Sequence, residues 1–106
     1  MDTTTLRTAI KQVINHYAKL QPSHGDIRLE AVFDETHDRY ALMQVGWNRD
    51  QRVRGNLIYI TIHNTTVNIE YDGIEQGITQ DLLEQGIPAE SIVHAFLSKS
   101  PVAMAM

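Results

Sequence analysis

Apolar and polar residues alternate along the middle of the chain, at positions 40–63. Ile58, Ile60 and Ile62 recur at every second position, which places them on one face of a β-strand. The polar residues 48–52 separate this strand from the apolar run before it, as in a β-hairpin. Burial of each isoleucine is worth roughly 1.5–3 kcal/mol. The sequence therefore predicts that helices pack on the isoleucine face.

A helical period marks the N-terminal segment, residues 6–20. Its predicted buried face consists of Leu6, Ala9, Ile10, Val13, Ile14, Tyr17 and Leu20. Thr3 or Thr4 is the predicted N-cap, because a threonine oxygen can accept a hydrogen bond from a free N–H of the first turn. Pro22 and Gly25 are predicted to end the helix.

Four strands are predicted after this helix, followed by two short helices. The predicted strands are Ile27–Phe33, Tyr40–Trp47, Leu57–His63 and Val67–Tyr71. Short connections favour an antiparallel meander. The first predicted C-terminal helix covers roughly residues 78–85, and the second begins at Pro88. The apolar face of this second helix consists of Ile92, Val93, Phe96 and Leu97. The fold class is α+β, a single domain over residues 1–106 with its helices mainly on one sheet face.

The second face of the predicted sheet is mixed in character. The residues predicted there are Val32, Tyr40, Leu42, Leu57 and Tyr59, among Arg28, Glu30, Gln44, Thr61, Asn68 and Glu70. If the helices cover one face, the mixed face is available for a partner or for a second copy of the chain.

Composition narrows the classes of function. The 106 residues include no cysteine, which excludes disulfides, thiolate zinc sites and a cysteine nucleophile. A formal net charge of −4 weighs against a domain whose main task is to bind phosphate backbones. No apolar run is long enough to span a membrane, and the first residues lack a signal-peptide pattern. The expected location is the cytoplasm.

Candidate chemistry is sparse, and the sequence predicts no catalytic residue, no cofactor and no metal ligand. The five histidines lack the spacing of a helical metal motif. The segment Asp34–Asp38 offers carboxylates to a cation, but its oxygens lack calcium-loop spacing and a solvated connection is favoured. No serine lies in a nucleophile-elbow context.

Basic residues and a tryptophan cluster at the predicted hairpin tip. Trp47 lies near Arg49, Arg52 and Arg54, and Arg39 is expected nearby across the strands. Three interpretations stay open: a solvated hairpin end, a protein interface rich in Trp and Arg anchors, and a nucleic-acid contact. The predicted partner-binding residues are Trp47, Arg49, Arg52, Arg54 and Tyr59.

Several motifs together resemble one known family, the XisI proteins, over nearly the whole chain. The matching motifs are Gly25-Asp26-Ile27, Tyr40, Val45-Gly46-Trp47, Arg52-Val53-Arg54-Gly55, Asp72-Gly73-Ile74-Glu75-Gln76-Gly77-Ile78, Leu82-Leu83-Glu84-Gln85-Gly86-Ile87-Pro88 and Ile92-Val93-His94-Ala95-Phe96. The resemblance implies a small cytoplasmic α+β protein that controls excision of the fdxN element, a programmed DNA excision in heterocyst-forming cyanobacteria.

The resemblance also implies partners. It suggests a non-catalytic accessory factor that acts with a site-specific recombinase and a XisH-like protein, and it leaves a homo-oligomer open. One alternative is a DNA-binding excision factor that uses the basic hairpin, and a weaker one is a hydrolase with an unrecognised site. No membrane association is expected.

Overall fold

The computed structural model describes residues 1–20 and 26–95 of the chain. Its helices and strands are α1 (Thr3–Ala18), β1 (Asp26–Asp34), β2 (Arg39–Asn48), β3 (Gln51–His63), β4 (Thr66–Asp72), α2 (Thr79–Glu84) and β5 (Ile92–His94). A 3₁₀ turn, Ala89–Ser91, precedes β5. The predicted α+β class and the N-terminal helix are confirmed, whereas the strand count and the C-terminal helices differ from the prediction.

The strands form one sheet in the order β1-β2-β3-β4-β5. The first four strands are antiparallel neighbours, which confirms the predicted meander. Asn64 and Thr65 join β3 to β4 with φ of 50° and 60°, as a tight hairpin turn with two left-handed residues requires. β5 pairs parallel to β4, and the crossover that a parallel pair needs contains α2.

Helix α1 packs on β1 and β2. Its buried residues are Leu6, Ala9, Ile10, Val13, Ile14 and Tyr17, all of them predicted. Leu20 lies beyond the helix and is 50% exposed, so its predicted burial is wrong. The N-cap is Asp2, whose Oδ1 accepts the N–H of Thr5 at 2.8 Å; the prediction of Thr3 or Thr4 is also wrong, since both lie within the helix. Neither described helix is long and apolar enough to cross a membrane.

The core lies between the helices and one face of the sheet. The three isoleucines of β3 are between 0% and 6% exposed, which confirms the predicted core face. The other buried hydrophobic residues of the strands are Tyr40, Leu42, Val67 and Ile69, and those between β4 and β5 are Ile78, Leu82 and Ile87. Burial of each large aliphatic side chain contributes roughly 1.5–3 kcal/mol, so this layer supplies much of the driving force for folding.

Four residues predicted on the mixed face belong to the core side instead. One is Gln44, which pairs with Leu29 and so shares its face. Tyr40 and Leu42 pair with Ile60 and Ile58, so each shares the face of its isoleucine and is 0% exposed. Leu57 packs against the core because the β2–β3 register shifts there, with Ile58 opposite Leu42 but Asn56 opposite Met43. The shift leaves an extra residue in β3, as a β-bulge does.

The second predicted C-terminal helix is wrong. Pro88 precedes the 3₁₀ turn, and Ile92 and Val93 belong to β5, where they pair with β4. Both residues are β-branched and fit a pleated strand better than a helix. Phe96 and Leu97, which were assigned to the same helix, lie outside the described residues, as do Pro22 and Gly25. The first predicted C-terminal helix exists as α2 and is shorter than expected.

Candidate protein-interaction surface

The sheet has one face turned away from α1, which we call the open face. Cross-strand pairing extends a row across it from Val32 through Ala41 and Tyr59 to Tyr71. Val32 is 51% exposed and Tyr71 is 47% exposed, while Ala41 and Tyr59 between them are half-buried. The placement of Val32 and Tyr59 on this face is as predicted. The row gives the open face an apolar and aromatic stripe bordered by charged residues.

Tyr71 is a member of this stripe that the sequence pattern missed. Alternation in β4 predicts Tyr71 on the face of Val67 and Ile69. Instead the register shifts, with Ile69 opposite Ile60 but Tyr71 opposite Tyr59, so Glu70 is an extra residue. The bulge turns Tyr71 to the open face. No local sequence signal marks the bulge, because its position depends on the pairing with β3.

The hairpin between β2 and β3 carries the exposed tryptophan. Arg49 and Asp50 form the two-residue turn, and Arg49 has φ of 59°. Trp47 and Arg52 are cross-strand partners, and the guanidinium carbon of Arg52 lies 5.4 Å from the centre of the indole ring. Arg52 Nη1 also donates to the Gly46 carbonyl at 3.4 Å. A cation held over an indole face is attracted by the ring quadrupole.

Gly46 holds the base of this hairpin close to β1. Its φ is +154°, and a Cβ atom built there would lie 1.9 Å from the Asp26 carbonyl oxygen and 2.8 Å from Ile27 Cα. Only a residue without a side chain permits this backbone approach. The close approach of the two strands therefore explains why glycine occupies the middle of the motif Val45-Gly46-Trp47, directly before the exposed tryptophan.

The structure brings together only part of the predicted partner-binding set. Trp47 is 48% exposed and contacts Arg52, while Arg49 and Arg54 are exposed on the same hairpin. Within the described residues, no carboxylate lies within ion-pair distance of these three arginines. Tyr59 is opposite Ala41, six positions along β2 from Trp47, which corresponds to roughly 20 Å. The open face therefore carries two separate patches.

Arg39 is not near the hairpin tip, so that expectation is wrong. It begins β2 and pairs with Asp34 and Thr61, at the opposite end of the sheet from Trp47. Its Nη1 donates to the backbone carbonyl of His37 at 2.8 Å, which orients it toward the β1–β2 connection. Eight positions separate the two residues on one strand, and the reversal at the hairpin does not bring them together.

The segment Asp34–Asp38 connects β1 to β2, and its carboxylates have separate partners. Asp34 Oδ2 lies 2.7 Å from His37 Nδ1, and Glu35 accepts from Lys11 at 2.6 Å. Asp38 accepts from Arg7 Nε at 2.7 Å and from the Tyr40 hydroxyl at 2.8 Å. In the described ranges, no three His, Asp or Glu side chains converge as a metal site would need.

Hydrogen bonds and charge interactions explain how the polar groups of Asp38 and Tyr40 are accommodated beside the hydrophobic core. The Arg7 guanidinium holds the pKa of Asp38 below its ordinary value, and the Tyr40 hydroxyl lowers it further. Burial, and then the hydrogen bond to Asp38, raise the pKa of Tyr40. The carboxylate stays charged and the phenol stays neutral. This network ties α1 to the β1–β2 connection and satisfies the polar end of a fully buried tyrosine.

A groove of about 310 Å³ between α1 and α2 holds imidazole and carboxylate groups. Its lining consists of Gln12, Val13, His16, Asp81, Glu84 and Gln85. Asp81 Oδ2 accepts the Tyr17 hydroxyl at 2.5 Å, and burial followed by this bond raises the pKa of Tyr17 to about 12. His16 and Glu84 are exposed. The groove is thus open to water, and its best-placed carboxylate links the two helices.

Comparison with a family model and with solved structures gives similarities to the same family. A family model described as XisI protein matches residues 1–104. The chain is similar to the fdxN element excision controlling factor XisI from Anabaena variabilis ATCC 29413, with 30% identity and a TM-score of 0.72 over 94% of this chain and 95% of that chain. It is also similar to a XisI-like protein from the same organism.

The second similarity concerns the fold alone. Its identity is 21% and its TM-score is 0.84, over 95% of this chain and 91% of that chain. The comparison with curated proteins found no match.

Proposed function

The chain belongs to the XisI family, and on this premise we propose that it is an accessory factor that controls excision of a DNA element in the cytoplasm. In this proposal the protein has no catalytic activity of its own. It binds a XisH-like protein, and through it influences a site-specific recombinase. The name of the similar Anabaena protein, excision controlling factor, supports the excision role.

The observation that carries a protein-binding role is the Trp47–Arg52 pair at the hairpin tip. Half of the tryptophan surface is in water, although its neighbour Gly46 is buried and the hairpin is otherwise polar. Trp and Arg are the residue types most often found as interface anchors. The cation–π contact also holds both side chains in place before binding, which reduces the entropy lost on association.

The proposal is tested by titrating the purified chain with a XisH-like protein from the same genome in a calorimeter. We expect Trp47→Ala to weaken binding by about 2 kcal/mol or more, roughly 30-fold, as for other central aromatic anchors. Leu20→Ala is the matched control, because Leu20 is exposed to a similar extent but lies on the far side of the sheet, after α1. Equal affinity of the Trp47 variant and the wild type would contradict the proposal.

Stability is measured on the same variants. We expect Trp47→Ala to change the unfolding free energy by less than about 1 kcal/mol, since half of its surface is already in water. If melting collapses while the folded fraction binds as tightly as the wild type, Trp47 has only a structural role.

A second candidate function is direct DNA binding by the hairpin. Arg49, Arg52 and Arg54 supply three cations with no described carboxylate partner. The net charge of −4 opposes this role. Filter binding to a duplex across a salt series tests it, because each lost phosphate contact flattens the salt slope by about one unit. A dependence of affinity on salt concentration that becomes less steep in Arg52→Ala favours DNA binding. Absence of duplex binding at low salt contradicts this second function.

A further inference from the structure

Strand β1 is a long and regular edge of the sheet, and the protection that it carries consists of its four charged residues. Among residues 1–20 and 26–95 it pairs only with β2, in nine consecutive positions without a register shift. It contains no proline and no lysine. Natural edge strands are usually shortened, bulged or interrupted by such residues, because their free N–H and C=O groups recruit another strand. An edge of this kind is suited to pairing.

The charges of β1 are complementary to themselves. Arg28 and Glu30 lie on the open face, two positions apart, and at present form a mostly exposed ion pair with each other at 3.3 Å. We propose that β1 pairs antiparallel with β1 of a second copy about a two-fold axis through Leu29. In that register Arg28 of each copy lies opposite Glu30 of the other, which gives two cross-strand ion pairs.

Neighbouring registers are less favourable. An axis through Glu30 would place the two Glu30 side chains opposite each other and Asp26 opposite Asp34, and like charges directly opposite are destabilising. An axis through Ala31 would pair Arg28 with Asp34, whose carboxylate already accepts from His37. The axis through Leu29 uses two groups whose present partner is each other.

The helix-side residues of β1 also favour pairing. Leu29, Ala31 and Phe33 pack against the core but remain only half-buried, because the layer ends there. In the proposed dimer Leu29 meets its own copy, and Ile27 meets Ala31. Each pair removes apolar surface from water. The resulting ten-stranded sheet extends the open face across both copies.

Charge reversal tests the proposal in sedimentation experiments on the full chain. Wild type is expected to shift from monomer to dimer as concentration rises. Arg28→Glu and Glu30→Arg are each expected to raise the dimer dissociation constant about tenfold or more, because two attractive pairs become two repulsive pairs. The double variant restores opposite charges and is expected to recover wild-type affinity. Arg54→Glu is the control, since it makes the same charge change on the open face away from the edge.

The register is tested by cross-linking, which the absence of native cysteine makes clean. Leu29→Cys is expected to give a disulfide-linked dimer on mild oxidation, because residues at the two-fold axis face each other at bonding distance. Ala31→Cys is the control, since its two copies would be four positions apart, roughly 13 Å.

Two results overturn the proposal. One is a wild-type chain that stays monomeric up to about 0.1 mM, where even a weak micromolar dimer is populated. The other is a dimer that the double charge reversal fails to rescue, or one in which only Ala31→Cys cross-links. The pairing is independent of the proposed excision role, because neither Trp47 nor the XisH-like partner enters it.

Discussion

The close approach of β1 to β2 predicts that Gly46→Ala destabilises the protein far more than Gly55→Ala. Both glycines lie in strands with positive φ, 154° and 140°, so alanine is strained at either position. Their surroundings differ. A methyl group at Gly46 would lie 1.9 Å from the Asp26 carbonyl oxygen, whereas nothing lies within 4 Å of one at Gly55. The pair of variants therefore separates backbone strain from steric overlap.

The expected losses in the free energy of unfolding follow from backbone strain and steric overlap. Strain at a sparsely populated φ costs about 1–3 kcal/mol, and alanine recovers about 0.4–1 kcal/mol by restricting the unfolded chain. Gly55→Ala should thus cost about 1–2 kcal/mol. Overpacking adds about 1–3 kcal/mol at Gly46, because the overlapping atoms are backbone and cannot rotate away. We expect about 2–5 kcal/mol in total for Gly46→Ala, a large part of the stability of a small domain.

Urea unfolding followed by far-ultraviolet circular dichroism measures both costs. The free energy of unfolding in water is obtained by linear extrapolation for the wild type and each variant. If Gly46→Ala and Gly55→Ala lose the same free energy within about 0.5 kcal/mol, the overlap with β1 is not the reason for Gly46. A Gly46→Ala chain too unstable to fold, beside a folded Gly55→Ala chain, supports the reasoning.

Three further predictions concern the core and its polar links. Ile60→Ala should lower the free energy of unfolding by about 3–4 kcal/mol in urea titrations, because it leaves a cavity in the fully buried layer. Tyr17→Phe should cost about 1 kcal/mol in the same assay, since the lost hydroxyl donates to Asp81 between α1 and α2. The pKa of Asp38 is lower in the folded protein than its ordinary value of about 3.9. The Asp38 carboxylate therefore contributes its full stabilisation of the folded state above that ordinary value, and the contribution is lost as the pH falls through the folded-state pKa. Thermal melts from pH 6 to 2 should show this loss in the wild type, and the corresponding part of the acid dependence should be missing from Asp38→Asn.

Periodicity predicted the elements that have one clear apolar face. Six of the seven residues predicted on the face of α1 are buried, and the failure, Leu20, lies past the end of the helix. The alternation in β3 identified Ile58, Ile60 and Ile62 because the residues that follow each of them, Tyr59, Thr61 and His63, all carry a polar group. In both segments the local pattern and the tertiary packing agree.

Strand β2 shows why the same reasoning fails elsewhere. Both of its faces are apolar, with Ala41 and Met43 on one and Tyr40 and Leu42 on the other. Alternation alone cannot choose between them, and Tyr40 and Leu42 are predicted on the mixed face. The pairing with β3 decides otherwise, and Asp38 provides the polar partner that allows Tyr40 to be buried.

Pairing between distant segments also determines that residues 92–94 form a strand and that Tyr71 joins the open-face stripe. Ile92 and Val93 became a strand because the edge of β4 was available, and a proline before them favoured a helix in the sequence alone. Tyr71 reached the open face through a bulge that depends on its partner strand. The proximity of Trp47 to Arg52 could be predicted from the sequence because a two-residue turn makes them cross-strand partners. Tyr59 was placed on the correct face, but its separation from them required the register.

The position of Trp47 has a practical consequence for spectroscopy. It is the chain's one tryptophan, it lies at the surface, and the buried layer contains none. Tryptophan fluorescence excited at the red edge of the indole absorption band therefore reports on the hairpin tip, and the buried layer contributes no signal. Displacement of the Arg52 guanidinium or exclusion of water by a bound protein should change the emission maximum before any unfolding begins.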